Sequence, residues 1–130
     1  MAIQITASFQ VTGWNEEPLD ERNDAAKLTS ARVTKSYSGE IDGDSVTEWL
    51  MAYADDGSAT FVGLERINGT IAGRTGTLVV QHLGTYRNGA ATAELTAVAG
   101  CGGGELVGVT GTGDFIADPA GRVRLELAFP

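Results

Sequence analysis

The sequence predicts an all-β protein built as a single eight-stranded antiparallel β-barrel with little helix. Three observations predict it. Both ends of the chain alternate apolar and polar residues with a period of two, the signature of a half-buried strand. Between them, the turn pairs Asp42-Gly43, Asp56-Gly57, Gly73-Arg74 and Asn88-Gly89 recur at intervals of 14, 17 and 15 residues. No segment carries a helical apolar stripe long enough to cross between parallel strands, so the sheet is expected to be antiparallel.

Taken in order, the first strand reads Ile3, Ile5, Ala7, Phe9 and Val11 against Gln4, Thr6, Ser8, Gln10 and Thr12. An acidic stretch from Asn15 to Lys27 follows, with no apolar periodicity, and residues 15–28 read as a long surface loop, either a lid over a cavity or a simple crossover. Five strands then run from Leu28 to Ala99, joined by the four turns. Asp-Gly, Asn-Gly and Gly-X pairs suit two-residue hairpin turns because these need positive φ. Gly100 to Gly104 interrupts the pattern, and Glu105-Leu106-Val107 reads as one helical turn. Thr110 to Ala117 forms a strand, Asp118 to Gly121 a turn. Val123, Leu125, Leu127 and Phe129 then alternate with charged residues in the last strand. Eight short strands close most naturally into a barrel, which removes exposed edges.

Residues 1–130 make one domain, large enough to bury a core without metal or disulfide. Eighteen glycines with only three prolines suit many tight turns rather than disorder. The net charge of −8 would repel phosphate backbones and anionic membrane surfaces, so neither nucleic acid nor membrane is expected as a partner. The N-terminal residues lack a basic and apolar leader, no run is long enough to cross a membrane, and Cys101 is alone. These features predict a cytoplasmic location.

Two-residue turns fix register, and register decides which side chains meet. With Ala72 opposite Thr75 across the third turn, Phe61 faces Tyr86 and Glu65 faces His82. The second turn sets Glu48 opposite Glu65, the first sets Tyr37 opposite Glu48, and the fourth sets His82 opposite Leu95. One face then collects Val33, Tyr37, Val46, Leu50, Phe61, Ile67, Leu78, Val80, Tyr86 and Leu95. A polar row crosses it on four successive strands: Tyr37, Glu48, Glu65 and His82. The other face carries Trp49, Met51, Tyr53, Val62, Leu64, Val79 and Leu83. Either that face meets a partner subunit, or inside and outside are exchanged and Arg32, Arg66 and Gln81 point inward. A hairpin at Asn68-Gly69 instead of Gly73-Arg74 would break the row at Glu65. With the row inside, the apolar outer patch predicts a homo-oligomer.

Two carboxylates facing each other in an apolar interior cannot comfortably both ionise. Glu65 as base, Glu48 as protonated acid, and His82 and Tyr37 as orienting donors would suffice for proton-transfer isomerisation or ring closure without a cofactor. The same four side chains also make sense as a buried hydrogen-bond network that fixes register and does no chemistry. A third arrangement has Glu48, Glu65 and His82 holding a metal, although one histidine and two carboxylates make an unspecific ligand set. The expectation is therefore no cofactor and no metal. The Gly100–Gly104 run lacks the Lys-Ser/Thr of a phosphate-binding loop, and nothing places Cys101 near His82.

Several segments carry a resemblance: Tyr37-Ser38-Gly39-Glu40-Ile41 and Glu48-Trp49-Leu50-Met51-Ala52-Tyr53; Phe61-Val62-Gly63-Leu64-Glu65-Arg66 and Val80-Gln81-His82-Leu83-Gly84-Thr85; Gly104-Glu105-Leu106-Val107-Gly108 and Gly111-Thr112-Gly113-Asp114-Phe115. Together they resemble a bacterial domain family of unknown function whose members are similar in fold to allene oxide cyclase, an eight-stranded antiparallel barrel. The resemblance implies a barrel that oligomerises and a cofactor-free cyclase acting on an apolar substrate as a relative. It carries no catalytic residue onto this chain. The sequence thus points to a barrel holding a small, largely apolar molecule. It acts either as a cofactor-free isomerase or cyclase, or as a binding or structural barrel whose polar row is only a network.

Overall fold

The computed structural model describes residues 2–130 and contains strands and turns with no helix among them. The strands are β1 (Ala2–Pro18), β2 (Leu28–Gly39), β3 (Ile41–Tyr53), β4 (Ala59–Ile71), β5 (Arg74–Arg87), β6 (Ala90–Ala97), β7 (Gly103–Gly104), β8 (Thr110–Ala117) and β9 (Gly121–Ala128). All pairings are antiparallel. The order β4-β3-β2-β1-β9-β8-β6-β5 closes on itself through β4–β5, so eight strands make a barrel, and the two-residue β7 bridges onto β5. Closure satisfies every edge that an open meander would leave to solvent.

The fourth turn falls where the sequence places it. Arg87 pairs with Ala90, and Asn88 and Gly89 take φ of 55° and 78°, the left-handed pair of a type I′ turn. The third turn lies one residue earlier, at Ala72-Gly73, with Ile71 opposite Arg74. The Asp56-Gly57 connection is not a two-residue turn. It is a five-residue loop from Ala54 to Ser58, held by the Asp56 carboxylate accepting from both the backbone N–H and the hydroxyl of Ser58. Asp42-Gly43 is no turn at all. The chain reverses near Gly39, at φ 99°, and Gly43 lies inside β3 opposite Gly69, where a Cβ would strike the Asn68 carbonyl.

These shifts invert one strand. The third turn displaces register by two residues and so preserves sidedness. The β3–β4 register slips by one residue and the β2–β3 register by five, so β3 alone is turned over relative to expectation. Trp49 and Met51 therefore point into the barrel, and Glu48 and Leu50 point out. The outer apolar patch is correspondingly Leu50, Val62, Leu64 and Leu83, with Leu50 opposite Val62 and Val62 opposite Leu83.

The stretch expected as a loop over residues 15–28 is only partly one. β1 continues through Pro18, which pairs with Thr29, so the loop proper begins at Leu19. A bulge at Thr12 shifts the β1–β2 register between Val11 and Gly13. It moves the inward phase from odd to even positions, bringing Trp14 and Glu16 to the inner side. The helical turn expected at Glu105–Val107 is a plain turn that seats Leu106 in the core.

The interior has two unlike ends. One is closed by aliphatic side chains, Ile5, Ile41, Ile67, Ile71, Leu78, Leu125 and Leu127, and capped by Leu106 and Val109. The other is lined by Phe9, Trp49, Phe61 and Phe115, whose rings touch one another at centroid separations of 4.5–6.4 Å. Gly84 makes room for this layer, since a Cβ there would collide with the Phe61 ring. Each such side chain removed from water contributes about 1.5–3 kcal/mol. Between the two ends lies a belt of buried polar groups.

Candidate functional site

That belt centres on Glu65, which β4 directs inward and buries almost completely. Its Oε2 accepts from the Tyr37 hydroxyl at 2.5 Å and from Ser45 Oγ at 2.6 Å. Its Oε1 accepts from His82 Nε2 at 2.8 Å, and Lys35 Nζ lies 3.6 Å away. The tautomer of His82 follows from its other nitrogen. Trp49 Nε1, which can only donate, is 3.1 Å from Nδ1, so Nδ1 accepts and the proton sits on Nε2. The imidazole is therefore neutral, and a second proton would have to break the Trp49 bond.

The ionisation states agree. Burial pushes the Glu65 carboxyl up, but the Lys35 charge and the hydrogen bonds from His82 and Ser45 outweigh it and hold it down at about 2. Burial lowers His82 against the opposing pull of Glu65. Burial, then the adjacent Glu65 charge, raises the Tyr37 hydroxyl well above its ordinary range. Burial also lowers the Lys35 amine, with Glu65 pulling the other way. The belt is thus a carboxylate that accepts from three neutral donors beside the Lys35 cation, an arrangement that stabilises the anion and leaves it a very weak base.

Tyr37, Glu65 and His82, expected together from the sequence, are brought together. Glu48 is not. It lies on the outer face, paired with Arg32 at 2.6 Å, because β3 is turned over. The acid role expected for Glu48 has no interior partner, and the Glu48-Glu65-His82 metal triad is dispersed for the same reason. Among the described residues, no three His, Cys, Asp or Glu side chains gather as ligands. Cys101 is exposed.

Lys35, Ser45 and Trp49 went unflagged by the sequence. Ser45 and Trp49 follow from the inversion of β3. Lys35 was legible: it sits midway between Val33 and Tyr37, in the same inward phase. Its buried Nζ has no hydrogen-bond partner. It instead faces the rings of Phe9 and Phe115, 4.5 and 4.7 Å from their centroids, with Trp49 at 5.7 Å.

Lys35 also lines a cavity of about 160 Å³ at the aromatic end of the barrel. Phe9, Trp49, Met51, Phe61 and Phe115 form its walls, and Val11, Trp14, Tyr86, Ala91 and Ala117 its rim. Glu65 does not line it. Trp14 is fixed at the mouth from two sides: its ring meets Trp49 at 5.6 Å, and its Nε1 donates to Glu16. Glu16 in turn accepts from Thr29 at 2.7 Å and from Tyr53. A larger groove of about 590 Å³ lies outside the barrel, over β1, β8 and β9, among Thr6, Ser8, Asp114 and Arg124. It is open to solvent and does not reach the belt.

The profile of a family described as "protein of unknown function (DUF3224)" matches residues 5–129, nearly the whole chain. The chain belongs to the DUF3224 family. A solved structure of a DUF3224 protein of unknown function from Shewanella oneidensis MR-1 superposes with a TM-score of 0.84 at 27% identity. The match covers 100% of this chain and 99% of that one, so the barrel of this DUF3224 chain spans the full length of its structural relative. No curated protein matches the chain. No helix among the described residues is long and apolar enough to cross a membrane.

Proposed function

We propose that the barrel is a binding module that holds one small, largely apolar molecule, about the size of a single aromatic ring, in the cavity at its aromatic end. The observation that carries this reading is the cavity itself: about 160 Å³, walled by aromatic rings and Met51, and entered past Trp14 and Tyr86. Apolar cavities near 150 Å³ are known to stay dry and to accept benzene-sized guests. The resemblance to allene oxide cyclase barrels supports an apolar occupant. The polar belt favours binding over proton transfer, because Glu65 already accepts three hydrogen bonds and does not line the cavity.

Both tryptophans of the chain line the cavity, so intrinsic fluorescence reads its occupancy directly. Toluene is expected to shift the emission saturably, with a dissociation constant of about 0.1–1 mM, typical of 4–5.5 kcal/mol of binding free energy. Ala91→Trp, which fills the rim, should abolish the shift. A linear, unsaturable response to toluene would overturn the reading.

Self-association belongs to the same proposal, supported by the outward row of Leu50, Val62, Leu64 and Leu83. Sedimentation velocity should detect an oligomer that Leu64→Glu dissociates without loss of fold. A monomer at all concentrations would exclude it. The unpaired, exposed Cys101 supports a reducing, cytoplasmic setting.

A further inference from the structure

Resting on the reading of the cavity as a ligand pocket, we propose that Lys35 is its recognition point. The occupant it selects is an uncharged, ring-sized apolar molecule bearing a carbonyl oxygen. A buried ammonium normally spends its three donors on acceptors, because an unmade bond at a charged group is costly. Lys35 Nζ makes none, although it is almost wholly enclosed. The Glu65 carboxylate is 3.6 Å off and already takes hydrogen bonds from Tyr37, Ser45 and His82. Ring faces and a nearby counter-charge hold the cation in place but leave its N–H groups unspent.

Of the other polar groups around the cavity, the Tyr86 hydroxyl belongs to an exposed rim residue and the two indoles are committed. Trp49 donates to His82, and Trp14 donates to Glu16. Lys35 is the one charged side chain on the wall, and its N–H groups have no hydrogen-bond partner within the protein. An oxygen acceptor on the ligand would complete them with a charge-assisted bond.

The charge balance then chooses among oxygens. Lys35 and Glu65 already neutralise one another, and His82 is neutral. A carboxylate at Lys35 would bring a second anion beside Glu65 inside a chain of net charge −8. A hydroxyl would accept from Lys35 but bring a proton of its own, and the wall beside Lys35, made of Phe9, Trp49, Met51, Phe61 and Phe115, offers that proton no oxygen or nitrogen acceptor. In the belt, Nδ1 of His82 is taken by Trp49, Glu65 already accepts three hydrogen bonds, and the unpartnered Thr47 hydroxyl does not line the cavity. A carbonyl accepts without donating and adds no charge. It meets Lys35 without asking the wall for an acceptor.

The test uses the wild-type protein and four ligands of nearly equal size. Acetophenone, ethylbenzene, 1-phenylethanol and benzoate are titrated while the indole N–H signals of Trp14 and Trp49 are followed in 1H–15N spectra. Acetophenone is expected to bind at least about tenfold more tightly than ethylbenzene, with 1-phenylethanol between them and benzoate weakest. In Lys35→Met the gap between acetophenone and ethylbenzene should close. Equal binding of ketone and hydrocarbon by the wild type would overturn the role of Lys35 while leaving the pocket intact. Benzoate as the tightest ligand would overturn the choice of an uncharged group. Failure of all four to bind would overturn both this inference and the pocket on which it rests. The wild-type series decides even if Lys35→Met does not fold.

Discussion

Glu65→Gln is expected to destabilise the barrel by about 3–5 kcal/mol, the cost of breaking one side of a buried ion pair. Against the 5–15 kcal/mol that holds a small domain together, that is a large share. The substitution removes the charge facing Lys35, which has no hydrogen bond to fall back on. It also sets an amide N–H2 against one of the donors that now converge on the carboxylate. Lys35→Met should cost less, because Glu65 keeps the bonds from Tyr37, Ser45 and His82. Methionine also suits a site ringed by Phe9, Phe115 and Trp49. The double variant should recover part of the loss, since neither charge is then left alone. Urea denaturation of the four proteins measures this, with the midpoint shifting and the slope unchanged. A Glu65→Gln protein within about 0.5 kcal/mol of wild type would mean that the belt is not what holds the centre of the barrel, since surface changes fall in that range.

Acid should weaken the fold in two stages. The folded state keeps His82 neutral, with its pKa lowered from 6.5. The unfolded chain therefore binds the proton first, and stability falls as the pH drops below about 6.5. Glu65 acts in the same direction lower down: its folded pKa of about 2 lies below the ordinary 4.5, so its contribution is full above 4.5 and fades as pH falls towards 2. A displacement of that size corresponds to roughly 3 kcal/mol. Easing of the repulsion implied by a net charge of −8 works the other way. The decisive comparison is therefore wild type against Glu65→Gln, whose difference should shrink between pH 5 and pH 3. A difference constant across that range would show that Glu65 is not specially held as an anion.

Much of this was written in the residue pattern. The period-two alternation of Ile3 to Val11 and of Val123 to Leu127 announces strands without ambiguity, and Asn88-Gly89 marks a true two-residue turn. Where the reading of register failed, glycine was doing a different job. Gly57 serves a loop of five residues whose geometry comes from the Asp56 side chain. Gly43 serves a close approach to Gly69. An Asp-Gly pair encodes permission for unusual φ, but not the length of the loop around it, and one residue of error turns a strand over. That slip put Glu48 inside and Trp49 outside. Tyr37, Glu65 and His82 survived it because the errors on either side of β3 cancelled for β2, β4 and β5. Lys35 was overlooked although its phase with Val33 and Tyr37 was plain, because a lysine between apolar residues ordinarily faces water. Trp14 falls out of phase with Phe9 and Val11, and that break is itself the trace of the bulge at Thr12.

Trp49 has two attachments: its ring walls the cavity and its N–H holds the free nitrogen of His82. Arrival of a guest and arrival of a proton in the core therefore perturb the same chromophore. Its emission should move with occupancy at neutral pH and with imidazole protonation in acid, while Trp14 at the rim answers to occupancy. The barrel thus carries a built-in optical gauge that distinguishes a filled pocket from a disturbed interior without any added label.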